Sequence, residues 1–228
     1  MVIPSSSLTT AENHRVRVAR EKRERMREHL LRSVLAVCSD DRASGSKVID
    51  DVIRFAEVSR GTFYKHFGSL EEAISELGAC LADEMARDIV RVYDVLVDPR
   101  ERLATGVQLF LRRAMIDPHW GGFVAYVELP DPNNQMIRHM VADLKLGIAE
   151  GLYDLEDWAE GMDVLLGTKI EAIRRIVRSG LGKDYVVRIS ALILRGLGQP
   201  SENAFAISQA MAVRLELEAP QYLSWWKA

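Results

Sequence analysis

The chain has 228 residues, 48% of them hydrophobic and 28% charged, enough for one large domain or for a small domain joined to a larger one, and unlike a disordered or fibrous composition. Its apolar stretches are short and interrupted, which argues against a membrane-spanning helix, and Met1 to Thr10 lack the basic start and apolar block of a secretion signal, so a cytoplasmic protein is expected. The net charge of −3 hides a division: residues 1–70 carry 13 Lys+Arg against 9 Asp+Glu, leaving 17 against 24 for the rest, so a basic head precedes an acidic body.

In chain order, residues 1–14 are short of large apolar groups and rich in Ser and Thr, which predicts a disordered arm. From about Ala19 to Cys38 the apolar residues Met26, Leu30, Val34 and Val37 recur at three and four, the period of an amphipathic helix. The same segment carries the dense basic run Arg15, Arg17, Arg20, Lys22, Arg23, Arg25 and Arg27. A loop follows to Lys47. Ser46 is a candidate cap for a second helix to Phe55, with Asp50 and Asp51 placed against its positive end. Ser59 is a candidate cap for a third helix to about Phe67, and Gly68-Ser69 separates it from a long fourth helix whose apolar period lasts to Asp98-Pro99.

Helical patterns continue over 100–116, 119–129, 134–153, 156–179, 184–197 and 201–218, with Pro118, Pro130, Pro132, Gly180, Gly182 and Pro200 between them. No segment alternates with period two, so an all-α chain of about ten helices is expected. Residues 15–68 read as the head and 69–228 as the body. Cys38 and Cys80 have no metal-ligand spacing and read as reduced thiols.

The sharpest signal is Val48-Ile-Asp-Asp-Val-Ile-Arg-Phe-Ala-Glu-Val-Ser-Arg-Gly-Thr-Phe-Tyr-Lys-His-Phe67. Read physically, it is two short helices around a tight turn, with Val52, Ile53, Val58, Phe63 and Phe67 closing a small core. The third helix would then present Arg60, Thr62, Tyr64, Lys65 and His66 on a polar face. Such a helix fits a major groove, and these side chains bond phosphates or base edges; the same pattern also suits an ordinary helical hairpin.

At these residues the chain resembles the TetR family of bacterial regulators over about residues 20–80. The family's helix-turn-helix is matched by Ile49-Asp50-Asp51-Val52, Ala56, Val58-Ser59 and Gly61-Thr62-Phe63-Tyr64, with Phe67 closing it. The resemblance implies an N-terminal helix-turn-helix domain followed by a larger helical domain that binds an effector and dimerises. It implies that Thr62, Tyr64 and His66 contact DNA, Tyr64 on a phosphate. Arg60 and Lys65 add base-edge and phosphate bonds, Arg being the better bidentate partner for guanine. Ser46 and Lys47 lie where the second helix would aim its N-terminus at a phosphate, and Arg15, Arg17 and Arg20 where an arm would reach the backbone. Three positions depart from the family: Glu57 stands where Gly is usual in the turn, Leu70 replaces a Lys at the start of the fourth helix, and Ile53-Arg54 replace small residues.

In the body, Phe110, Trp120, Phe123, Tyr126, Met136, Met140, Trp158 and Met162 fit either plain core or the lining of an apolar effector cavity, with Gln108, His119, Asn133, Asn134 and His139 as orienting polar groups. The stripes Met162, Leu165, Leu166, Ile170, Ile173, Ile176 and Val177, then Val186, Ile189, Leu192, Ile193 and Leu197, fit either a homodimer bundle through about residues 162–197 or the body's own core. The expected function is a TetR-like regulator, a repressor released from a palindromic operator in double-stranded DNA by a small, mainly apolar ligand. The alternatives are control by a protein partner or an enzyme. For an enzyme the sequence offers little. Gly161 to Lys169 misses the phosphate-loop spacing, His139 and Asp143 read as a surface pair, and no catalytic, metal or cofactor residues are expected.

Overall fold

The computed structural model describes residues 6–39, 49–93, 95–127 and 135–226. Among them are ten α-helices and no strand: α1 (Ser6–Cys38), α2 (Ile49–Phe55), α3 (Arg60–Tyr64), α4 (Leu70–Tyr93), α5 (Pro99–Ile116), α6 (Pro118–Tyr126), α7 (Gln135–Ala149), α8 (Trp158–Ser179), α9 (Lys183–Gly196) and α10 (Ser201–Tyr222). The all-α class and the helix number follow the sequence reading closely. The arm does not: α1 starts at Ser6, so residues 6–14 are helical. No Pro or Gly interrupts this stretch, and Ala, Glu and Arg dominate its middle, where Arg17–Glu21 and Arg20–Glu24 lie at helical i,i+4 spacing (3.7 and 3.9 Å).

Two compact units divide the chain, the first from Met1–Val37 and Gly45–Leu77, the second from Cys38–Ser44 and Gly78–Ala228. The first reaches beyond Gly68 because the opening turns of α4 bury Leu70, Ala73 and Leu77 alongside Leu30, Val34, Val52, Ala56, Phe63 and Phe67. A three-helix head is too small to close a core alone, and the start of α4 completes it. Ser69 caps this helix by accepting the Glu72 amide (3.1 Å), and the Glu72 carboxylate accepts the Gly68 amide (2.6 Å).

The second unit is built around α5, which is buried on every side and packs against α6, α7, α8, α9 and α10. Asp98 caps it by accepting the Arg100 amide (2.8 Å), with Pro99 in the first turn. The polar groups that α5 buries are partly satisfied: Gln108 donates to the Ser208 carbonyl (2.8 Å), Arg112 pairs with Glu216 (2.8 Å) and lies over Trp226, and Arg113 pairs with Glu84 (3.2 Å) and lies over Trp225, while Nε of Arg102, Arg112 and Arg113 has no hydrogen-bond partner among the described residues. The expected dimer stripe is mostly interior here. Met162, Leu165, Ile173, Ile176, Val186, Ile193 and Leu197 belong to the body's own core, because α8 and α9 both pack on α5. No helix among the described residues is long and apolar enough to cross a membrane.

Candidate nucleic-acid interface and effector cavity

The turn between α2 and α3 keeps its shape without glycine. Glu57 adopts φ +54, in the left-handed region. Its amide donates to the Arg54 carbonyl (3.3 Å) and the Val58 amide to the Ile53 carbonyl (3.1 Å), the paired bonds of a Schellman cap. A non-glycine residue costs about 1 to 2 kcal/mol in this conformation. His29 of α1 bonds the Ala56 carbonyl (2.9 Å), holding the turn against the first helix.

Ser59 then caps α3, accepting the Thr62 amide at 3.1 Å and bonding the Thr62 hydroxyl at 2.9 Å. Phe63 and Phe67 point inward. Outward, Tyr64 is half exposed with its ring edge-on to Phe63, and Arg60 and Lys65 are exposed. Arg60 donates to Asp50 of α2 at 2.6 Å, and this carboxylate raises the guanidinium pKa. His66 is half-buried; desolvation first, then the charges of Arg23, Arg27 and Lys65, push its pKa down, so the ring is neutral at pH 7. Thus Arg60, Thr62, Tyr64, Lys65 and His66 lie together at one end of the head. Ser46 and Lys47 lie outside the described residues, as does the Arg15 side chain, whereas Arg17 and Arg20 are exposed on α1 beside Glu21 and Glu24.

Two residues take roles the sequence did not disclose. Arg27, one of the basic run, is not a free cation: it forms a bidentate pair with Glu76 of α4, donates to the His66 carbonyl and covers the Phe67 ring at 4.1 Å. It clamps α1, the end of α3 and α4 together. Leu70 is buried in the head core, which explains a leucine where the family has a lysine.

The body contains a partly enclosed cavity of about 40 Å³. Its walls are Ala86, Ile89, Val90 and Tyr93 of α4, Arg102, Leu103, Gly106, Val107 and Phe110 of α5, Met136, His139, Met140 and Asp143 of α7, and Leu165 and Lys169 of α8. Of the eight residues expected to line a ligand site, Phe110, Met136 and Met140 border this cavity. Trp120 and Phe123 are fully buried on α6, and Met162 is core on α8. Tyr126 is exposed, and Trp158 lies under Lys145 at 5.2 Å. Among the orienting groups, His139 reaches the cavity. Gln108 bonds Ser208 and His119 bonds Ser39 (2.8 Å), while Asn133 and Asn134 lie outside the described residues.

The cavity's charged groups differ from their sequence reading, which set Asp143 in a surface pair and Lys169 at the end of a failed phosphate loop. Asp143 is 1% exposed and pairs with Arg102, so it is no surface partner of His139. Lys169 is 4% exposed, with Nζ 4.2 Å from the Phe110 ring centroid, and desolvation lowers its pKa to about 8. No local motif marks either residue. Their i-to-i+4 neighbours on α7 and α8 are a mixture of polar and apolar, and only tertiary packing turns them inward.

Exposed apolar side chains remain on α9 and α10. Leu192 (48% exposed), Phe205 (51%), Val213 (54%) and Leu217 (69%) stand out from the body, the last three spaced by eight and four along one face of α10.

No family model matches the sequence, and no curated protein does. Solved structures do match. RolR in complex with resorcinol aligns with 82% of this chain and 95% of its own, at TM-score 0.62 and 24% identity. A TetR family transcription regulator from Marinobacter aquaeolei VT8 aligns over 78% of this chain and 98% of its own, at 0.60 and 13%. A gamma-butyrolactone receptor described as ArpA-like aligns over 86% and 99%, at 0.55 and 16%. The chain has the fold of these regulators.

Proposed function

We propose that the protein is a TetR-type transcription regulator that binds a palindromic operator as a homodimer and represses until a small, mainly apolar ligand enters the body. The observation that carries this reading is the head. A short α3, capped by Ser59 and seated on Phe63 and Phe67, presents Arg60, Tyr64 and Lys65 outward from a net-basic unit, with Thr62 and His66 half-buried beside them. A helix so exposed fits the major groove, with Arg60 on a base edge and Tyr64 and Lys65 on phosphates. Ser46 and Lys47 would meet a further phosphate. The fold it shares with a structure holding resorcinol and with a gamma-butyrolactone receptor supports the ligand-responsive body. Residues up to Leu77 form the DNA-reading domain and the remainder the effector and dimerisation domain, acting in the cytoplasm where its DNA lies. Leu192, Phe205, Val213 and Leu217 form the dimer face, since the stripe within 162–197 is largely spent on the core.

Control runs through α4, whose first turns complete the head and whose Ile89 and Tyr93 line the cavity. A ligand that binds one arrangement of the cavity better than the other moves this helix and changes the spacing of the two recognition helices. Paired major grooves recur about every 34 to 36 Å, so a shift of a few ångströms misplaces one head. A coupling of about 1 to 3 kcal/mol weakens operator binding roughly 5- to 150-fold, and DNA weakens ligand binding by the same factor.

Fluorescence anisotropy with the palindromic DNA upstream of the gene tests the reading. Affinity should fall steeply with salt. Tyr64→Phe should weaken all sequences alike, and Arg60→Ala should relax one base position. A flat salt response with no binding to any upstream duplex refutes it.

A further inference from the structure

The body cavity is apolar apart from five polar groups, one or two from each of its four helices: Tyr93, Arg102, His139, Asp143 and Lys169. Arg102 and Asp143 neutralise each other as an ion pair. His139 sits edge-on to Tyr93, ring centroids 6.4 Å apart. That leaves Lys169, buried in the wall of the cavity, with neither a hydrogen bond nor a carboxylate within ion-pair distance among the described residues. Its one close polar attraction is to the face of Phe110, a contact worth less than an ion pair. An ammonium held in an apolar wall without an anion is destabilising, and it persists where it has a use.

We propose that the effector is a small organic acid, a carboxylate or an acidic phenol on a single-ring apolar body, whose anionic oxygen pairs with Lys169 while the ring lies among Phe110, Met136 and Met140. This rests on the reading of the body cavity as the effector site. The charges favour an anion over a neutral or cationic ligand: with Arg102 and Asp143 cancelling, the wall is left with one uncompensated positive charge. A pair formed there is shielded from water and therefore far stronger than one at the surface. A Cβ built on Gly106 meets nothing within 4 Å, so the wall is open at that position, and the two methionines are unbranched and adaptable, able to yield the further space a ring needs.

The probes are benzoate, phenylacetate and 3-phenylpropionate, each beside its primary amide at the same concentration, read by thermal unfolding and tryptophan fluorescence of the full chain. The acids should raise the melting temperature of the wild type and the amides should not. Lys169→Met should weaken the tightest acid roughly tenfold or more, the loss of one charge-assisted contact, while remaining folded. Gly106→Val, which fills the cavity and leaves Lys169 in place, should lose the acid response too. The inference is overturned if amides stabilise as well as acids, if either variant keeps the full acid response, or if none of the three acids shifts the wild type. Operator binding measured on the same preparation separates the two readings. Salt-dependent DNA binding without acid binding sinks only the acid, whereas acid binding without DNA binding sinks the regulator.

Discussion

Replacing Lys169 by Met should make the protein more stable, which is unusual for a substitution in a core. Burial lowers the lysine from 10.5 to about 8, and at about 1.36 kcal/mol per unit the charged form carries a penalty of about 3 kcal/mol in the folded state. Met follows the same unbranched path beside Phe110 and has nothing to ionise. For a domain of this size the gain corresponds to a melting temperature higher by about 6 to 12 °C. The pH dependence identifies the cause. Because the folded-state pKa lies below the unfolded one, unfolded wild-type chains bind the extra proton between pH 8 and 10.5, so wild-type stability rises with pH across that window. The advantage of Lys169→Met is therefore full below pH 8 and shrinks by about 1.4 kcal/mol per pH unit above it. Urea unfolding at pH 7, 8, 9 and 10, followed by tryptophan fluorescence, measures this directly, since Trp120, Trp158, Trp225 and Trp226 all belong to the body. A less stable variant at pH 7, or a wild-type–variant difference that does not change with pH, would show that Lys169 is already compensated and refute the reasoning.

The head offers three further tests. Arg27→Ala should destabilise it by about 2 kcal/mol, as the Glu76 pair, the bond to the His66 carbonyl and the Phe67 contact go together, and Arg27→Lys should recover only part because lysine lacks the planar fork; denaturant unfolding by circular dichroism reads both. Glu57→Gly should stabilise by up to about 1 kcal/mol, the relief of the left-handed backbone being partly offset by glycine's freedom when unfolded, while Glu57→Val should destabilise; equal melting temperatures for all three would mean the turn bears no strain. Because His66 is held neutral in the free protein, a phosphate beside it favours the protonated ring, and DNA affinity should increase as pH falls from 7.5 to 5.5; the increase should vanish in His66→Gln, and a pH-independent affinity in the wild type would place the ring away from the backbone.

The helices were legible in the sequence because their apolar period is long and their breakers sit where proline, glycine and capping side chains end a helix. The head was legible in more detail, since Phe63, Phe67 and the cap at Ser59 belong to a contiguous motif in which local and tertiary preferences agree. The cavity was not. It draws its walls from four helices that are distant in the chain, and hydrophobic periodicity treats a Trp120 packed solid and a Met136 bordering a void identically. Charge counting failed in the same way for Arg27, Asp143 and Lys169, whose meaning depends on which neighbours folding brings. The arm was missed because its Ser and Thr were given more weight than the helix-forming residues that follow them. The stripe over 162–197 read ambiguously because an apolar face shows only that something must cover it: α5 covers Met162, Leu165, Ile173, Ile176, Val186, Ile193 and Leu197, while Leu192 stays exposed.

The size of the cavity bears on the speed of any response. At about 40 Å³ it holds only two or three water molecules, less than a single aromatic ring displaces. A ring then fits only as the walls yield, and the unbranched Met136 and Met140 are the side chains best suited to do so. Uptake then proceeds in two steps, and its observed rate should climb with ligand concentration only until it reaches the frequency at which the closed body opens. A ligand response of this kind would have a built-in time, set by packing around α5 rather than by ligand abundance, and substitutions that loosen that packing would quicken it at the expense of the tighter arrangement.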